Sequence, residues 1–203
     1  MIVQRRFAII GHKTPSTGTA ISLNDLPGLS GRLDVLARAI NSTLFLSHGI
    51  RKNSQITLHL MGGEGPPRRV VFDGAELGGV RSDERSISGH IRTLVKSRLP
   101  PIGIWEKVSS GIYHSGGDLE TTMKEWKEEG VDISVLDKEG RIMDKETLKG
   151  DIIGFILSDD LPFDEHEREI ISEYKKVSIG KKWLQGHSCI AIMHHIIDAI
   201  EVN

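Results

Sequence analysis

The chain has 203 residues, 38% of them hydrophobic, so it is long enough to bury one sizeable core. Its single cysteine, Cys189, excludes an internal disulfide and any zinc site built on paired cysteines, and we expect a cytoplasmic protein. The apolar run over residues 7–10 is too short for a signal peptide, and no stretch approaches the roughly 20 apolar residues of a membrane helix.

The net charge of −2 hides an asymmetry along the chain. Residues 1–107 contain 15 Lys and Arg against 8 Asp and Glu, a net charge of +7, whereas residues 108–203 contain 11 against 20, a net charge of −9. Arginine, which binds phosphate through two N–H donors, makes up most of the excess of basic over acidic residues in residues 1–107. RNA binding is one interpretation and an ordinary solvated surface is the other, and composition alone does not separate them.

In chain order, the first predicted elements are a strand, a loop and a helix. Residues 6–11 are a short apolar run typical of a strand, and the polar stretch over 13–22 predicts a loop. Apolar residues at helical spacing then predict a helix with Ser30 as its N-cap and Gly49 as its stop.

A hairpin and a second helix follow. Alternation over residues 54–61 and an apolar run over 69–72 predict two strands, and the tip of this hairpin is predicted to present Arg68 and Arg69. Residues 86–99 predict an amphipathic helix that ends before two prolines. Its inward positions are Ile87, Ile91, Leu94 and Val95, and its outward, basic positions are Arg92, Lys96 and Arg98.

Strands and helices keep alternating in the second half, which predicts an α/β fold with a largely parallel sheet. The predicted helices cover residues 118–129, 164–174 and 182–200, and the predicted strands cover 131–136, 151–158 and 176–179.

Loops at the ends of these strands are the candidate binding site, because ligands of open parallel sheets bind beyond the carboxyl ends of the strands. Gly180 lies where a strand is predicted to turn at once into a helix, whose free N–H groups suit a carboxylate or a phosphate. An ordinary turn glycine is the alternative. Lys181 and Lys182 would oppose the dipole of that helix, which favours a bound anion nearby. The loops cover residues 136–138, 157–160 and 178–181.

Other kinds of site find little support. The chain has neither a G-x-x-x-x-G-K-[ST] phosphate loop nor a G-x-G-x-x-G that opens a helix after a strand. The terminal helix carries His187, His194 and His195, but without inward carboxylates nearby we predict no metal site. Cys189 lies in an apolar stretch, where a buried structural thiol is commoner than a nucleophile.

Three ordered blocks of sequence resemble a known family. The segments S-L-N-D-L-P-G (22–28) and G-R-L-D-V-L-A-R (31–38) are similar to the N-terminal signature of the archaeal tRNA pseudouridine-54 N1-methyltransferases. F-I-L-S-D (155–159) resembles the first knot loop of that family, and V-S-I-G-K-K-W-L (177–184) with Cys189 and Ile190 resembles the second. The matched blocks spread from Ser22 to Asp198, so the resemblance covers nearly the whole chain.

This resemblance implies a SPOUT-type fold, in which a largely parallel sheet is flanked by helices and the C-terminal segment is threaded as a trefoil knot. Residues 1–203 would form a single domain, with residues 1–107 facing RNA and the knot region, 131–203, binding S-adenosylmethionine. The resemblance also implies a homodimer with each cofactor pocket near the subunit interface. The partners expected are therefore tRNA and a second copy, with no membrane and no metal.

The resemblance implies the cofactor contacts, while the chemistry of methyl transfer and the basic residues of the first half suggest the rest of the site. Asp25 is the catalytic candidate, a carboxylate that accepts the N1 proton of pseudouridine as the methyl group arrives, and a turn residue is its alternative. The expected cofactor contacts are Leu136, Leu157, Ser158, Ser178, Ile179, Gly180, Lys181, Leu184 and Cys189. The expected RNA-binding residues are Arg32, Arg38, Arg51, Arg68 and Arg69. Arg38 could instead pair with Asp34, four residues earlier.

The predicted reaction is therefore methylation of N1 of pseudouridine 54 in the T-loop of tRNA. Two other functions stay open: methylation of a ribosomal RNA pseudouridine, and RNA binding without catalysis by a protein of the same fold. Many relatives carry glycine at the position of Ser158 and proline near Lys181, so contacts of the cofactor loops can differ here.

Overall fold

The computed structural model describes residues 3–202, which form ten strands and five helices. The strands are β1 (Gln4–Pro15), β2 (Phe45–Leu46), β3 (Gly49–Ile50), β4 (Ser54–Gly62), β5 (Arg68–Asp73), β6 (Glu106–Ser109), β7 (Ile112–Gly116), β8 (Asp132–Ile142), β9 (Ile152–Ser158) and β10 (Lys175–Ser178). The helices are α1 (Leu33–Leu44), α2 (Glu84–Val95), α3 (Leu119–Glu128), α4 (Glu165–Ile171) and α5 (Gly186–Val202).

The main sheet formed by the described residues has eight strands in the order β10-β8-β9-β1-β4-β5-β7-β6. The pairs from β10 to β4 are parallel, and the pairs from β4 to β6 are antiparallel. The prediction of an α/β fold with a largely parallel sheet is confirmed, with an antiparallel extension at one edge. Two of the candidate loops, 157–160 and 178–181, lie at the carboxyl ends of parallel strands. Residues 136–138 instead lie within β8, which continues to Ile142 and does not end at 136 as predicted.

The central strand, β1, shows why helices cover both faces of the sheet. Phe7 and Ile9 pack with α1, α2 and α5, whereas Ala8 and Ile10 pack with α3 and α4. Successive side chains of a strand point to opposite faces, so a run of four apolar residues with at most 1% exposure needs a cover on each side. The result is three layers, with the sheet in the middle.

The start of α1 differs from the prediction. Ser30 is not its N-cap, because the Ser30 hydroxyl instead accepts from the Ser22 N–H (2.8 Å) and donates to the Ser22 carbonyl (2.9 Å). Arg32 is the residue before the helix, in the left-handed conformation (φ 63) and without a side-chain cap. α1 then ends at Leu44, well before Gly49.

The caps of α2 and α3 are side-chain carboxylates. Asp83 accepts a hydrogen bond from the Ser86 N–H (2.8 Å), so α2 begins two residues earlier than predicted, and it ends at Val95 rather than at 99. Asp118 accepts from the Thr121 N–H (3.1 Å) and begins α3, which confirms that predicted acidic cap. The four predicted inward side chains of α2 are buried.

The terminal helix also begins later than predicted. α5 starts at Gly186, so Lys181 and Lys182 lie in the preceding loop and do not oppose its dipole. These two lysines therefore give no indication of a bound anion, contrary to the prediction. The same shift leaves residues 179–185 as an extended loop between β10 and α5, beside the ends of the parallel strands.

Candidate active site

A cavity of about 1070 Å³ lies at the carboxyl ends of β9 and β10 and beside the middle of β8. It is bounded by residues 135–138 of β8, by the loops that follow β9 and β10, and by the first turns of α1 and α5. Its volume is at the upper end of the roughly 300–1,000 Å³ usual for sites that bind small molecules. It therefore has room for a ligand of nucleoside size with a polar extension.

The cavity brings together the predicted cofactor contacts with one exception. Lys181 does not line it, and its ammonium group lies 3.5 Å from the Glu139 carboxylate. The predicted residues that do line it are Leu136, Leu157, Ser158, Ser178, Ile179, Gly180, Leu184 and Cys189.

The loops around the cavity are held by their own hydrogen bonds. The Ser178 hydroxyl accepts from the Gly180 N–H at 3.1 Å and lies 3.3 Å from the carbonyl of Lys138, a β8 residue, so it joins the loop after β10 to β8. The Ser158 hydroxyl donates to the Leu161 carbonyl and closes the turn after β9. Side-chain hydroxyls thus supply hydrogen bonds where the strands separate and the regular backbone hydrogen bonds of the sheet end.

Cys189 lies at the floor of this cavity. Its thiol donates to the Leu184 carbonyl over 3.7 Å, and burial raises its pKa above the ordinary value for cysteine. A thiol whose pKa is raised stays protonated at neutral pH, which suits packing rather than nucleophilic attack.

His12 lies between two carboxylates beside the cavity. Its Nδ1 is 2.8 Å from Asp159 Oδ1 and its Nε2 is 3.0 Å from Glu167 Oε2. Burial alone would lower the pKa of His12, but the hydrogen bonds to Glu167 and Asp159 outweigh it and raise the pKa above 6.5. Asp159 lines the cavity, so His12 fixes part of the wall from behind.

Two of the predicted RNA-binding arginines, Arg32 and Arg38, line the mouth of the cavity. Both contact the carboxylate of Asp34, which is only 2% exposed. Arg32 also reaches Asp160 (2.9 Å), and Arg38 reaches Glu84 (2.9 Å). The i,i+4 pair of Arg38 with Asp34 is confirmed, and each guanidinium, about one-third exposed, keeps a face toward solvent.

Asp25 is in a tight turn near this mouth but does not line the cavity. Its carboxylate accepts hydrogen bonds from the N–H groups of Gly28 (2.8 Å) and Leu29 (3.2 Å). This is the turn geometry that the alternative interpretation predicted. A carboxylate oxygen that accepts one hydrogen bond keeps a second lone pair, so the turn does not exhaust the group.

The prediction that the hairpin tip presents Arg68 and Arg69 was wrong, because both side chains are fully buried. Arg68 donates to backbone carbonyls of the α2 end. Arg69 forms a two-pronged pair with Glu125 (2.7 and 2.9 Å) on α3 and stacks under the ring of Trp105. Both side chains point away from the sheet toward a helix rather than outward from the hairpin tip. Each guanidinium therefore connects the sheet to a helix.

Arg51 is also used within the protein. Its guanidinium donates twice to Asp198 on α5, at 2.8 and 3.0 Å, and the same carboxylate pairs with Arg5. The structure thus places Arg51 in an ion-pair group with the last helix and not at the cavity.

Several cavity residues were not singled out from the sequence. Asp159 and Trp183 stood inside the recognised blocks and Asp160 in the candidate loop 157–160, but nothing in the pattern showed that these three side chains line the cavity. Trp183 is 81% exposed, and the Lys138 ammonium group lies 5.3 Å from its ring centre. Arg168 comes from α4, and only the packing of that helix beside β8 and β9 brings it to the site.

Within the described part of the chain, no group of three or more His, Cys, Asp or Glu side chains is placed to hold a metal ion. None of the helices formed by residues 3–202 combines the length and the apolar character needed to cross a membrane.

Comparisons with known proteins agree over nearly the full length. The model of a family described as "Putative SAM-dependent RNA methyltransferase" matches residues 4–202. A protein of Methanococcoides burtonii named tRNA (pseudouridine(54)-N(1))-methyltransferase is 36% identical over 198 residues, 96% of each chain. A protein of the same name from Methanococcus maripaludis is 34% identical over 200 residues, 97% of this chain and 100% of the relative.

A solved structure adds evidence on the fold. The crystal structure of Archaeoglobus fulgidus Nep1 bound to S-adenosylhomocysteine covers 100% of both chains with a TM-score of 0.66, at 14% identity. At that identity the likeness shows a common fold. Together with the family match and the archaeal relatives, it establishes that this chain belongs to the tRNA (pseudouridine(54)-N(1))-methyltransferase family of SAM-dependent RNA methyltransferases.

Proposed function

We propose that this protein transfers a methyl group from S-adenosylmethionine to N1 of pseudouridine 54 in tRNA. The observation that carries the proposal is the cavity, which brings together eight of the expected cofactor contacts from β8, from β9, from the β10–α5 segment and from the first turn of α5. The names of the archaeal relatives support this acceptor, and the S-adenosylhomocysteine bound to the structural neighbour supports this cofactor.

The side chains of the cavity fit the chemistry of that cofactor. When bound, S-adenosylmethionine supplies a methyl group activated by its sulfonium sulfur. Leu157, Ile179 and Leu184 give an apolar wall suited to an adenine ring, and Asp137 and Asp160 can accept from hydroxyl or ammonium groups. Gly180 has φ 134, and a Cβ there would meet nothing within 4 Å, so this backbone lies open to a ligand.

The protein has two tasks in such a displacement: to align the acceptor nitrogen and to receive its proton. We propose Asp25 for the second task, because its carboxylate is half-buried, is fixed by two backbone N–H groups and keeps free lone pairs. Its turn leads directly to Arg32 at the mouth of the cavity. A target base turned out of the RNA loop could reach both.

Arg32 and Arg38 are proposed to hold the RNA next to the target base. Both are fixed by Asp34, so little side-chain freedom is lost when a phosphate binds. Arg51, Arg68 and Arg69 are left out of this proposal, because each is occupied within the fold.

Finer features of the family belong to the same proposal. We expect residues 1–203 to act as a single domain, the segment after β9 to thread a trefoil knot, and two copies to form a cytoplasmic homodimer. The exposed apolar side chains of Trp183 (81%) and Leu184 (43%) beside the cavity are consistent with a partner surface there.

The direct test is methyl transfer from labelled S-adenosylmethionine to two tRNA transcripts, one with uridine and one with pseudouridine at position 54. Mass mapping of the product should show a methyl group only in the pseudouridine transcript. Transfer to neither transcript, despite cofactor binding, would favour ribosomal RNA as the substrate. Loss of cofactor binding as well would favour RNA binding without catalysis.

A further inference from the structure

One face of α2 has a composition that folding does not explain. Residues 85, 89, 92, 93 and 96 follow the i, i+4, i+7, i+8, i+11 spacing of a single helix face, which we call the α2 stripe. Its members are Arg85, Gly89, Arg92, Thr93 and Lys96. The opposite face carries the buried residues that pack on the sheet and on α1, so the stripe faces outward.

The α2 stripe is basic and lacks a carboxylate. The two acidic residues at the start of the helix are both occupied, Asp83 by the Ser86 N–H and Glu84 by Arg38. Among the described residues, Arg92 and Lys96 form no ion pair, nor do Arg81 and Arg98 at the two ends of the helix. Arg92 and Lys96 on the stripe, with Arg81 and Arg98 just beyond the two ends of a helix of about 18 Å at 1.5 Å per residue, suit a chain of phosphates.

Gly89 gives an independent reason to expect a close ligand. Glycine within a helix costs about 1 kcal/mol relative to alanine. The packing does not require it, because a Cβ built on Gly89 would meet nothing within 4 Å. A glycine in the middle of a basic face lets a backbone approach the helix more closely than any side chain would allow.

The α2 stripe is also continuous with the proposed site. At its N-terminal end, Arg85 donates to the Leu23 carbonyl (3.2 Å) and to the Asn24 side chain (3.3 Å), in the loop that carries Asp25. One residue earlier, Glu84 pairs with Arg38 at the mouth of the cavity. The stripe therefore starts where the target base would enter and leads away from it.

We propose that the α2 stripe binds phosphates of the RNA stem that adjoins the methylated loop, with Gly89 at the point of closest approach. The inference rests on the proposed function for the identity of the RNA. A stem fits better than free single strand because the stripe has cations but no aromatic ring on which an unpaired base could stack.

The test is the salt dependence of binding to a T-arm hairpin RNA with pseudouridine in its loop. The double variant Arg92→Gln/Lys96→Gln should bind at least about tenfold more weakly and lose about 1.4 to 1.8 from the slope of log K against log salt, at 0.7 to 0.9 per contact. The matched control is Lys124→Gln/Lys149→Gln, which removes the same charge from exposed positions elsewhere. Equal slopes for the two double variants would overturn the proposal.

The variant Gly89→Gln separates binding from folding. Its melting temperature should be unchanged or higher, because a helix former replaces glycine where there is space, while its RNA affinity should fall severalfold. Unchanged affinity would remove Gly89 from the interface. Methyl transfer by the wild-type protein separates the two proposals: if it occurs while the stripe variants bind normally, only the stripe is wrong. If it does not occur while the stripe variants bind weakly, only the assigned reaction is wrong.

Discussion

The Arg68 guanidinium on β5 donates to the carbonyl oxygens of Leu94 (2.6 Å) and Ser97 (2.9 Å), where α2 ends. The last carbonyls of a helix have no partners from a following turn. Here the Leu94 carbonyl accepts from the Ser97 N–H (3.0 Å) and hydroxyl (2.7 Å), and the buried Arg68 cation adds a further donor. This arginine thus holds in place the helix that carries the α2 stripe, while its own charge is hidden from any RNA.

We expect Arg68→Met to unfold more easily, by about 1 to 3 kcal/mol, because the Ser97 carbonyl loses the guanidinium donor while the Leu94 carbonyl keeps its bonds from Ser97. Urea unfolding and hydrogen exchange in α2 would measure this loss. The salt slope of RNA binding, measured where the variant stays folded, should match that of the wild type. A salt slope smaller than that of the wild type by the amount expected for one phosphate contact would mean that Arg68 contacts phosphate.

The two roles considered for Asp25 can be separated with two substitutions. Asp25→Asn keeps an oxygen that accepts from the Gly28 N–H but removes the negative charge, whereas Asp25→Ala removes both. If the carboxylate receives the N1 proton, both variants should lose at least about a hundredfold in kcat at unchanged cofactor Kd. Nearly normal kcat for Asp25→Asn would leave Asp25 only as a turn residue.

Gly180 should be sensitive to a side chain for reasons of backbone conformation. A φ of 134 is accessible to glycine and costs other residues on the order of 1–3 kcal/mol, so Gly180→Val should weaken S-adenosylhomocysteine binding roughly tenfold. Gly150→Val is the matched control, since Gly150 also has positive φ (88) with open space for a Cβ and does not line the cavity. Calorimetry that showed equal losses in both variants would point to general destabilisation.

The pKa of His12 predicts a loss of stability toward alkaline pH. Its pKa is raised in the folded protein, so the folded state holds the proton more tightly than the unfolded one. The stabilisation from Asp159 and Glu167 is then fully present below pH 6.5 and declines as pH rises through the raised pKa. Melting temperatures between pH 5.5 and 8.5 should fall for the wild type relative to His12→Asn. Parallel curves of melting temperature against pH for the two proteins would show that protonation of His12 does not contribute to stability.

His194 predicts the opposite dependence, on the acid side. Burial, with Arg51 and Arg5 nearby, lowers its pKa to about 3, so the folded state keeps it neutral while the unfolded chain binds a proton below pH 6.5. Stability is therefore lost as pH falls from 6.5 toward 3, about 2 kcal/mol by pH 5 at 1.36 kcal/mol per pH unit. The free energy of unfolding should differ between pH 7 and pH 5 by about 2 kcal/mol less in His194→Gln than in the wild type.

Much of the fold could be predicted from periodicity, because buried strands and amphipathic helices have distinct spacings. The ends of elements were harder where the deciding contact is distant in sequence. Ser30 is a residue type that often caps helices, yet its hydroxyl is bonded to Ser22. Nothing in the local sequence shows that α5 begins only at Gly186. These positions depend on packing that a local pattern does not contain.

For the site, the cofactor loops were identified from the resemblance and are brought together by the parallel strands. Arg32 and Arg38 do reach the cavity mouth, but the positions of Arg68 and Arg69 were predicted wrongly, because a hairpin tip and a buried sheet position look alike in sequence. Arg69 carries the same charge as a phosphate ligand, but its partner, Glu125, lies 56 residues away and becomes a neighbour only after folding. The basic count of the first half thus includes cations that never reach the surface, such as Arg5, Arg68 and Arg69.

The position of β1 in the sheet has a consequence for how the chain acquires its structure. Phe7 pairs with Ile56 on one side and with Phe155 on the other, so this early strand has neighbours about 50 and about 150 residues away. During synthesis β1 can pair with β4 soon after emerging, but its second edge stays open until β9 is made. Contacts of such long range slow folding. We therefore expect refolding to be slow and to pass through an intermediate in which the sheet lacks its C-terminal strands and the cofactor pocket does not yet exist.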